Sequence, residues 1–126
     1  MSQPVSRGAT ALATRAPEEI FAHHAQALGA EDLEAIVIDY ADNARFITST
    51  GVLCGKEAIG EFFAGVFQML PKAQWGVKTT FVDDILFLEW TADSAKASVS
   101  DGVDTFVFQD GLIQYQTVRC TVVPRT

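Results

Sequence analysis

Apolar side chains in the first half of the chain recur every three or four residues, which is the spacing of amphipathic helices. A first helix is predicted from Pro17 to Gly29, because proline suits the first helical turn and glycine can end a helix. One polar ring lies on its apolar face, which is formed by Ile20, His24, Ala27 and Leu28.

Two more helices are predicted before the pattern changes from that of helices to that of strands. The second has the helical spacing of Leu33, Ile36, Val37 and Tyr40. The third follows Gly55 and ends at Pro71, and its broad apolar face is formed by Ile59, Phe62, Phe63, Val66, Phe67 and Leu70.

Short strands separated by polar turns are predicted for the rest of the chain. Asp110-Gly111 is the strongest turn signal, because this dipeptide favours a tight hairpin. The predicted strands are Ala44 to Thr48, Gln74 to Phe81, Ile85 to Thr91, Ala95 to Ser100, Val103 to Phe108 and Leu112 to Val123. Helices followed by a meander of strands predict an α+β domain in which the helices cover one face of a curved sheet.

Length and composition fit one globular domain. The chain has 126 residues, of which 48% are hydrophobic, and this is enough for a real core. Residues 1–16 show no periodicity and are predicted to form a flexible arm ahead of a domain over residues 17–124. Because no segment resembles a signal-peptide core or a membrane span, the expected location is the cytoplasm.

Charge and motifs exclude several classes of function. A net charge of −7 disfavours nucleic acid and anionic membrane as partners. The chain has no glycine-rich phosphate loop, dinucleotide fingerprint or nucleophile elbow, so no cofactor is expected. A metal site is not expected either, because the adjacent His23 and His24 diverge on a helix and Cys54 and Cys120 lack ligand spacing.

Asp104 is the most informative polar residue, because two-residue alternation places it on the face of Phe106 and Phe108. A carboxylate on an apolar face must be paired, protonated or lining a cavity. Burial is expected to raise the pKa of Asp104 and to favour the neutral acid. The structural alternative is a carboxylate bonded to backbone at a bulge formed by Asp101-Gly102.

Two other polar side chains occupy apolar positions. His24 is either a core histidine bonded to a carbonyl or water, or a proton carrier near neutral pH. Tyr40 is either a core tyrosine with a satisfied hydroxyl or a site residue. His23 projects elsewhere and is expected to be solvated.

Several segments, taken in order, resemble the NTF2-like superfamily in its SnoaL-like and ketosteroid-isomerase-like branch. They are Glu31 to Ile36, Asp39 to Ala44, Gly55 to Ile59 with Phe62-Phe63, Gly102 to Phe106, and Asp110 to Ile113. The resemblance spans Pro17 to Val123. It implies a cystatin-like α+β cone, in which a strongly curved, mainly antiparallel sheet wraps around three N-terminal helices and encloses one apolar pocket.

The resemblance also implies roles for individual residues. Asp104 falls where steroid isomerases have an oxyanion-binding aspartate, and Tyr40 matches a supporting tyrosine. His24 replaces a tyrosine of the first helix, and Phe63 replaces a further tyrosine. Thr48 replaces the carboxylate that moves the proton, a task that threonine cannot perform. The expected catalytic residues are therefore Asp104, His24 and Tyr40.

One acid and one imidazole in an apolar pocket suit proton transfer beside a carbonyl, as in isomerisation, dehydration or aldol-type cyclisation. The expected pocket lining is Thr48, Phe63, Phe67, Leu86, Leu88, Trp90, Phe106, Gln116, Val118 and Cys120. The expected partners are a hydrophobic small molecule and a second copy of the chain. A non-catalytic ligand-binding module and a subunit-association module stay open as alternatives.

Overall fold

The structure is a computed structural model that describes residues 13–126. Its helices are α1 (Pro17–Gly29), α2 (Leu33–Val37) and α3 (Gly55–Met69). Its strands are β1 (Tyr40–Thr48), β2 (Gly51–Cys54), β3 (Gln74–Val82), β4 (Ile85–Asp93), β5 (Ala97–Gln109), β6 (Leu112–Arg119) and β7 (Val123–Pro124). Most of the predicted arm, residues 1–12, lies outside the described residues.

One curved, unclosed sheet packs against the three helices in this part of the chain, which confirms the predicted α+β cone. The strand order is β2-β1-β6-β5-β4-β3, and β7 pairs with β5. Strands β1 and β6 run parallel, whereas the other pairs are antiparallel. In residues 13–126 no helix is long and apolar enough to cross a bilayer.

The second helix is shorter than its apolar spacing predicts, and the placement of Tyr40 on it was wrong. Helix α2 ends at Val37, and Tyr40 is the first residue of β1. The carbonyl of Asp39 accepts a hydrogen bond from the amide of Ile113 at 2.7 Å, and Tyr40 then pairs with Ile113 in the parallel ladder. Pairing with a distant strand therefore overrides a local helical pattern.

Strand β5 is continuous where two strands were predicted. It passes through Asp101 and Gly102, and its register against β4 shifts between Trp90 and Ala92. The bulge expected at this position exists, but the carboxylate that binds backbone there is that of Asp101, which accepts from the amide of Thr121 at 2.8 Å. The assignment of this structural role to Asp104 was wrong.

A second register shift lies in the hairpin that Asp110-Gly111 closes. Phe108 pairs with Ile113, but Val107 pairs with Tyr115, so β6 contains one extra residue. Ile113 and Gln116 are consequently both buried although they are three residues apart. The bulge is what turns Gln116 to the inner face of the sheet, opposite Phe106.

A buried ion cluster fixes the chain ahead of α1 to the start of β1. Arg15 Nη1 lies 2.8 Å from Asp39 Oδ1, and His23 Nδ1 lies 2.7 Å from Asp39 Oδ2. Arg15 also donates to the carbonyl of Gly111 at 2.8 Å. His23 is 42% exposed, as its expected solvation implies, but it is also a partner of Asp39, which was not predicted.

Gly102 is required by the packing of Trp90, and a matched pair of substitutions tests this. A Cβ at Gly102 would lie 2.6 Å from Trp90 Nε1, whereas a Cβ at Gly65 in α3 would meet nothing within 4 Å. We expect Gly102→Ala to lower the free energy of unfolding by about 1–3 kcal/mol, because the indole must move. Gly65→Ala should raise it by about 0.5–1 kcal/mol. Urea denaturation measures both, and equal effects would contradict the assignment.

Candidate functional site

A cavity of about 950 Å³ lies between the inner face of the sheet and helices α1 and α3. Most of the predicted site residues line it, namely His24, Thr48, Phe63, Leu88, Trp90, Asp104, Phe106, Gln116, Val118 and Cys120. Arg119, at the rim, is exposed and is the one basic residue in the lining among the described residues. The cavity is thus largely apolar, with a few polar groups, as is usual for small-molecule sites.

Three of the predicted site residues do not line this cavity. Tyr40 and Leu86 are fully buried in the main core, and Phe67 is partly buried and packs against that core. Tyr40 differs from its predicted position because α2 ends at Val37, before it reaches Tyr40. Leu86 lies within the packed core, and Phe67 packs against the outside of that core.

Asp104 is held by two N–H donors from the neighbouring strands. Trp90 Nε1 donates to Oδ1 at 2.8 Å, and Gln116 Nε2 donates to Oδ2 at 2.8 Å. Trp90 lies on β4 and Gln116 on β6, so the carboxylate on β5 accepts hydrogen bonds from both neighbouring strands. Each carboxylate oxygen therefore accepts a hydrogen bond in the site as it stands.

The protonation of Asp104 differs from the sequence-based expectation. Burial raises its pKa to about 6, while the hydrogen bonds from Trp90 and Gln116 lower it. The direction of the shift is as predicted, whereas the two N–H donors favour the ionised form over the expected neutral acid. Two N–H donors match an ionised carboxylate, which only accepts hydrogen bonds. The site thus holds a carboxylate whose pKa is close to neutral.

Gln116 connects Asp104 to Tyr40. The Tyr40 hydroxyl donates to Gln116 Oε1, and the amide nitrogen of the same side chain donates to Asp104. Burial, and then the nearby Asp104, raise the pKa of Tyr40 well above its usual value, so the phenol stays protonated. Tyr40 therefore contacts the site through Gln116 and not through the cavity.

His24 is enclosed by aromatic rings and is neutral. The ring centroids of Tyr40, Phe63 and Phe106 lie 5.7–5.8 Å from its own. Burial lowers the pKa of His24 to about 4, against an opposing effect of Asp39. Its Nδ1 is buried and has no hydrogen-bond partner within residues 13–126. An imidazole with this pKa is neutral at pH 7, which differs from the expected proton carrier near neutral pH.

His24 and Asp104 share the cavity, but they do not form an ion pair. Both oxygens of Asp104 are occupied by Trp90 and Gln116, and no salt bridge joins Asp104 to His24 in the described part of the chain. Thr48 lies at the turn between β1 and β2, where its hydroxyl contacts the carbonyl of Gly51 at 3.2 Å. Thr48 is thus outside the hydrogen-bond network of Asp104.

No group of His, Cys, Asp and Glu side chains suited to a metal ion occurs in residues 13–126. The polar chemistry of the site consists of one base-like carboxylate, its two N–H donors and one neutral imidazole. Such a set can accept a proton from carbon or oxygen and can donate a hydrogen bond to a ligand oxygen.

Sequence reasoning placed Trp90 and Gln116 in the lining but missed their role as hydrogen-bond donors to Asp104. The sequence could have predicted this role, because a buried carboxylate needs hydrogen-bond donors. Gln116 and Trp90 lie on the strands that flank Asp104, and both side chains have N–H groups. Asp39 was also missed as a buried charge.

Solved structures with the same fold include three informative cases. A SnoaL-like protein from Burkholderia thailandensis aligns with a TM-score of 0.70 at 19% identity, over 83% of this chain and 94% of its own. IdmH from Streptomyces antibioticus, assigned as a polyketide cyclase, aligns with a TM-score of 0.72 at 14% identity, over 84% and 92% of the two chains. A protein from Kribbella flavida, assigned as a ketosteroid isomerase, gives 0.70 at 15% identity, over 83% and 77%.

These identities show a shared fold and not a shared reaction. No curated protein sequence matches the chain significantly. The family model of the SnoaL-like domain matches residues 21–116, which is most of the chain. The protein therefore belongs to the SnoaL-like family of the NTF2-like superfamily.

Proposed function

We propose that the protein is an enzyme that moves a proton next to a carbonyl group of a hydrophobic substrate. The observation that carries this proposal is Asp104, a carboxylate with a pKa of about 6 that lines an apolar cavity and is held by two N–H donors. A general base works best when its pKa is close to the working pH. Isomerisation, dehydration and aldol-type cyclisation all begin with such a proton transfer.

Asp104 acts as the base in this proposal, which differs from the oxyanion-binding role that the resemblance implied. Its two oxygens accept hydrogen bonds from nitrogen, so the ionised form is stabilised and ready to take a proton. With Asp104 as the base, no carboxylate is needed at the position of Thr48. The base then lies on β5, whereas the resemblance to steroid isomerases implied a base on β1.

His24 supplies a hydrogen bond to the substrate oxygen. Its Nδ1 is buried without a partner, and a lone pair is tolerated there better than an N–H group, so we infer that the proton is on Nε2. With a pKa of about 4 the imidazole is neutral at pH 7, and a neutral N–H can stabilise negative charge that develops on a carbonyl oxygen. Triosephosphate isomerase uses a neutral imidazole in the same way.

The substrate class follows from the lining. Aromatic and aliphatic side chains dominate a cavity of about 950 Å³, which suits a ligand with several rings. Arg119 at the rim is placed to bind a weakly anionic substituent, while the lining holds no other Arg and no Lys among residues 13–126. We therefore propose an uncharged or weakly anionic aromatic or polyketide-like ligand. IdmH is assigned as a polyketide cyclase, which agrees with this class.

The reaction is tested with β-tetralone, a hydrophobic ketone whose acidic carbon–hydrogen bonds exchange in deuterium oxide. We expect the protein to accelerate this exchange, and Asp104→Asn to reduce the rate by about 100-fold or more. The rate should fall as the pH decreases below about 6, because the base is then protonated. Nuclear magnetic resonance follows the loss of the proton signal.

Asp101→Asn is the matched control, because Asp101 lies on the same strand but its carboxylate binds Thr121. Its rate should equal that of the unaltered protein. If β-tetralone raises the melting temperature but its protons do not exchange, the protein is a ligand-binding module. If Asp101→Asn and Asp104→Asn lose activity equally, Asp104 is not the base.

The neutral state of His24 is tested by the pH dependence of stability. Its pKa is about 4 in the folded protein and 6.5 without burial, so the unfolded chain binds the proton more readily. The stability that depends on neutral His24 is complete above pH 6.5 and is lost as the pH falls towards 4. The unaltered protein should therefore lose about 3 kcal/mol relative to His24→Leu between pH 7 and pH 4.

For Asp104→Asn we expect the stability difference from the unaltered protein to change with pH in the opposite direction. The folded-state pKa of Asp104, about 6, is above its ordinary 3.8, so the unaltered protein loses stability relative to this variant as the pH rises from 4 to 6. Urea denaturation at several pH values measures both differences. A pH-independent difference for His24→Leu would show that His24 has an ordinary pKa.

We also propose that the protein is a cytoplasmic homodimer formed through the outer face of the sheet. Ile85 pairs with Val82 and Val107, and Val107 pairs with Tyr115, so an apolar row crosses β3, β4, β5 and β6. Ile85, Phe87 and Tyr115 are 41–47% exposed, which leaves this row open to solvent in the single chain. The two cysteines are free thiols, which suits a reducing compartment.

The dimer is tested by light scattering at micromolar concentration. We expect twice the chain mass of 13.7 kDa for the unaltered protein, and Phe87→Glu to produce the monomer because a buried charge opposes association. Ile38→Glu is the control, because Ile38 is similarly exposed but lies between α2 and β1. A single 13.7 kDa species for the unaltered protein would contradict the proposal.

A further inference from the structure

Tyr40 is a buried tyrosine that does not line the cavity, yet its hydroxyl is connected to the carboxylate of Asp104. The connection is the Gln116 side chain, which accepts from Tyr40 with Oε1 and donates to Asp104 with Nε2. Tyr40 and Gln116 are 0% and 2% exposed, so water does not compete for these bonds. The three residues come from β1, β6 and β5.

A glutamine amide can occupy this position in two orientations. In the observed one, nitrogen faces Asp104, and its N–H group binds an ionised carboxylate more strongly than a neutral carboxyl group. In the reversed one, oxygen faces Asp104, and only a protonated carboxyl group can donate to it. The orientation of the amide is therefore coupled to the protonation of Asp104.

Tyr40 distinguishes between the two orientations. In the observed one, its hydroxyl proton is accepted by Gln116 Oε1. In the reversed one, the amide nitrogen would face the hydroxyl, and the tyrosine proton would lose the acceptor that it has in residues 13–126. A buried O–H group without an acceptor is costly, so Tyr40 favours the orientation that keeps Asp104 ionised.

We propose that Tyr40 is a positioning residue for Asp104, because its hydroxyl fixes the Gln116 amide with its nitrogen towards the carboxylate. The proposal rests on the function of Asp104 as a base, and it names what keeps that base free of its proton. Tyr40 touches no substrate. It acts entirely through Gln116.

The other titratable groups near Asp104 do not provide this coupling. Cys120, beyond β6, is half-buried, and burial raises the pKa of its thiol, which stays neutral. His24 on α1 lines the same cavity and is neutral at pH 7. Glu89 is exposed and lies near Lys78. Arg119, at the rim of the cavity, is exposed, and no ion pair joins it to Asp104 within residues 13–126. Asp101 is engaged by Thr121.

Trp90 provides a direct reporter of Asp104. Its indole N–H donates to Asp104 Oδ1, so the nuclear magnetic resonance signal of this group must change when the carboxylate gains a proton. The chain has two tryptophans, and Trp75→Phe identifies the signal of Trp90. Asp104→Asn removes the titrating group and should give a flat curve.

The experiment is a pH titration of the Trp90 signal in the full chain without ligand. We expect a midpoint near pH 6 in the unaltered protein and about one pH unit higher in Tyr40→Phe, because the amide can then reverse without cost. Gln116→Leu, which removes the amide donor, should also raise the midpoint. Tyr115→Phe is the matched control, because Tyr115 is exposed, and its midpoint should not move.

A double variant separates the proposed path from a direct effect. Because Tyr40 acts through Gln116, Tyr40→Phe should cause no further shift when it is added to Gln116→Leu. An equal shift in both backgrounds, an unchanged midpoint in Tyr40→Phe, or a signal that still titrates in Asp104→Asn would each overturn the proposal. If Tyr40→Phe does not fold, an unchanged midpoint in Gln116→Leu overturns it.

The titration needs no substrate, so its result is independent of the proposed reaction. A shifted midpoint without exchange of β-tetralone protons would support the coupling and contradict the enzyme. Exchange with an unmoved midpoint would support the enzyme and contradict the role of Tyr40. In an active enzyme, the pH at which the exchange rate falls should shift upward in Tyr40→Phe together with the Trp90 midpoint.

Discussion

A carboxylate inside an apolar cavity is stable only when donors satisfy both of its oxygens, and this requirement organises the inner face of the sheet. Trp90 and Gln116 meet it for Asp104 from the two neighbouring strands. Gly102 leaves room for the indole, and a bulge in β6 turns Gln116 inward. The registers of β4, β5 and β6 therefore bring both donors to Asp104, which lines the cavity.

The two buried aspartates of the protein are held in different ways, and the difference explains their roles. Asp39 has the cationic Arg15 and the imidazole of His23 as partners and connects the segment before α1 to β1. Asp104 has only neutral donors, so burial raises its pKa towards neutrality. A carboxylate neutralised by a cation is suited to holding segments together. One held by neutral dipoles in an apolar cavity can exchange a proton near pH 7.

Two polar groups of the site, the carboxyl group of Asp104 and the imidazole of His24, lower the stability of the folded protein because they are buried. The folded protein keeps the carboxyl group of Asp104 away from water, and it keeps an imidazole nitrogen of His24 without a partner among residues 13–126. Replacing both groups with apolar side chains would remove these costs. Both groups line one cavity, which supports the proposed role of this cavity as a binding or catalytic site.

The sequence by itself determined the three helices, most of the strands, the α+β class, the superfamily and the position of Asp104 on an apolar face, because these depend on local periodicity and on short motifs. It did not predict the short strands β2 and β7. It also named ten of the residues that line the cavity. Only the tertiary structure decided that Tyr40 begins a strand, that His23 pairs with Asp39, and that Trp90 and Gln116 bind Asp104. These outcomes depend on a parallel pairing between β1 and β6 and on two bulges, which bring together residues far apart in the chain. Hydrophobic alternation specifies the face on which a side chain lies, but a shift of one residue in pairing changes its neighbours, and the energy that selects the register belongs to the assembled sheet.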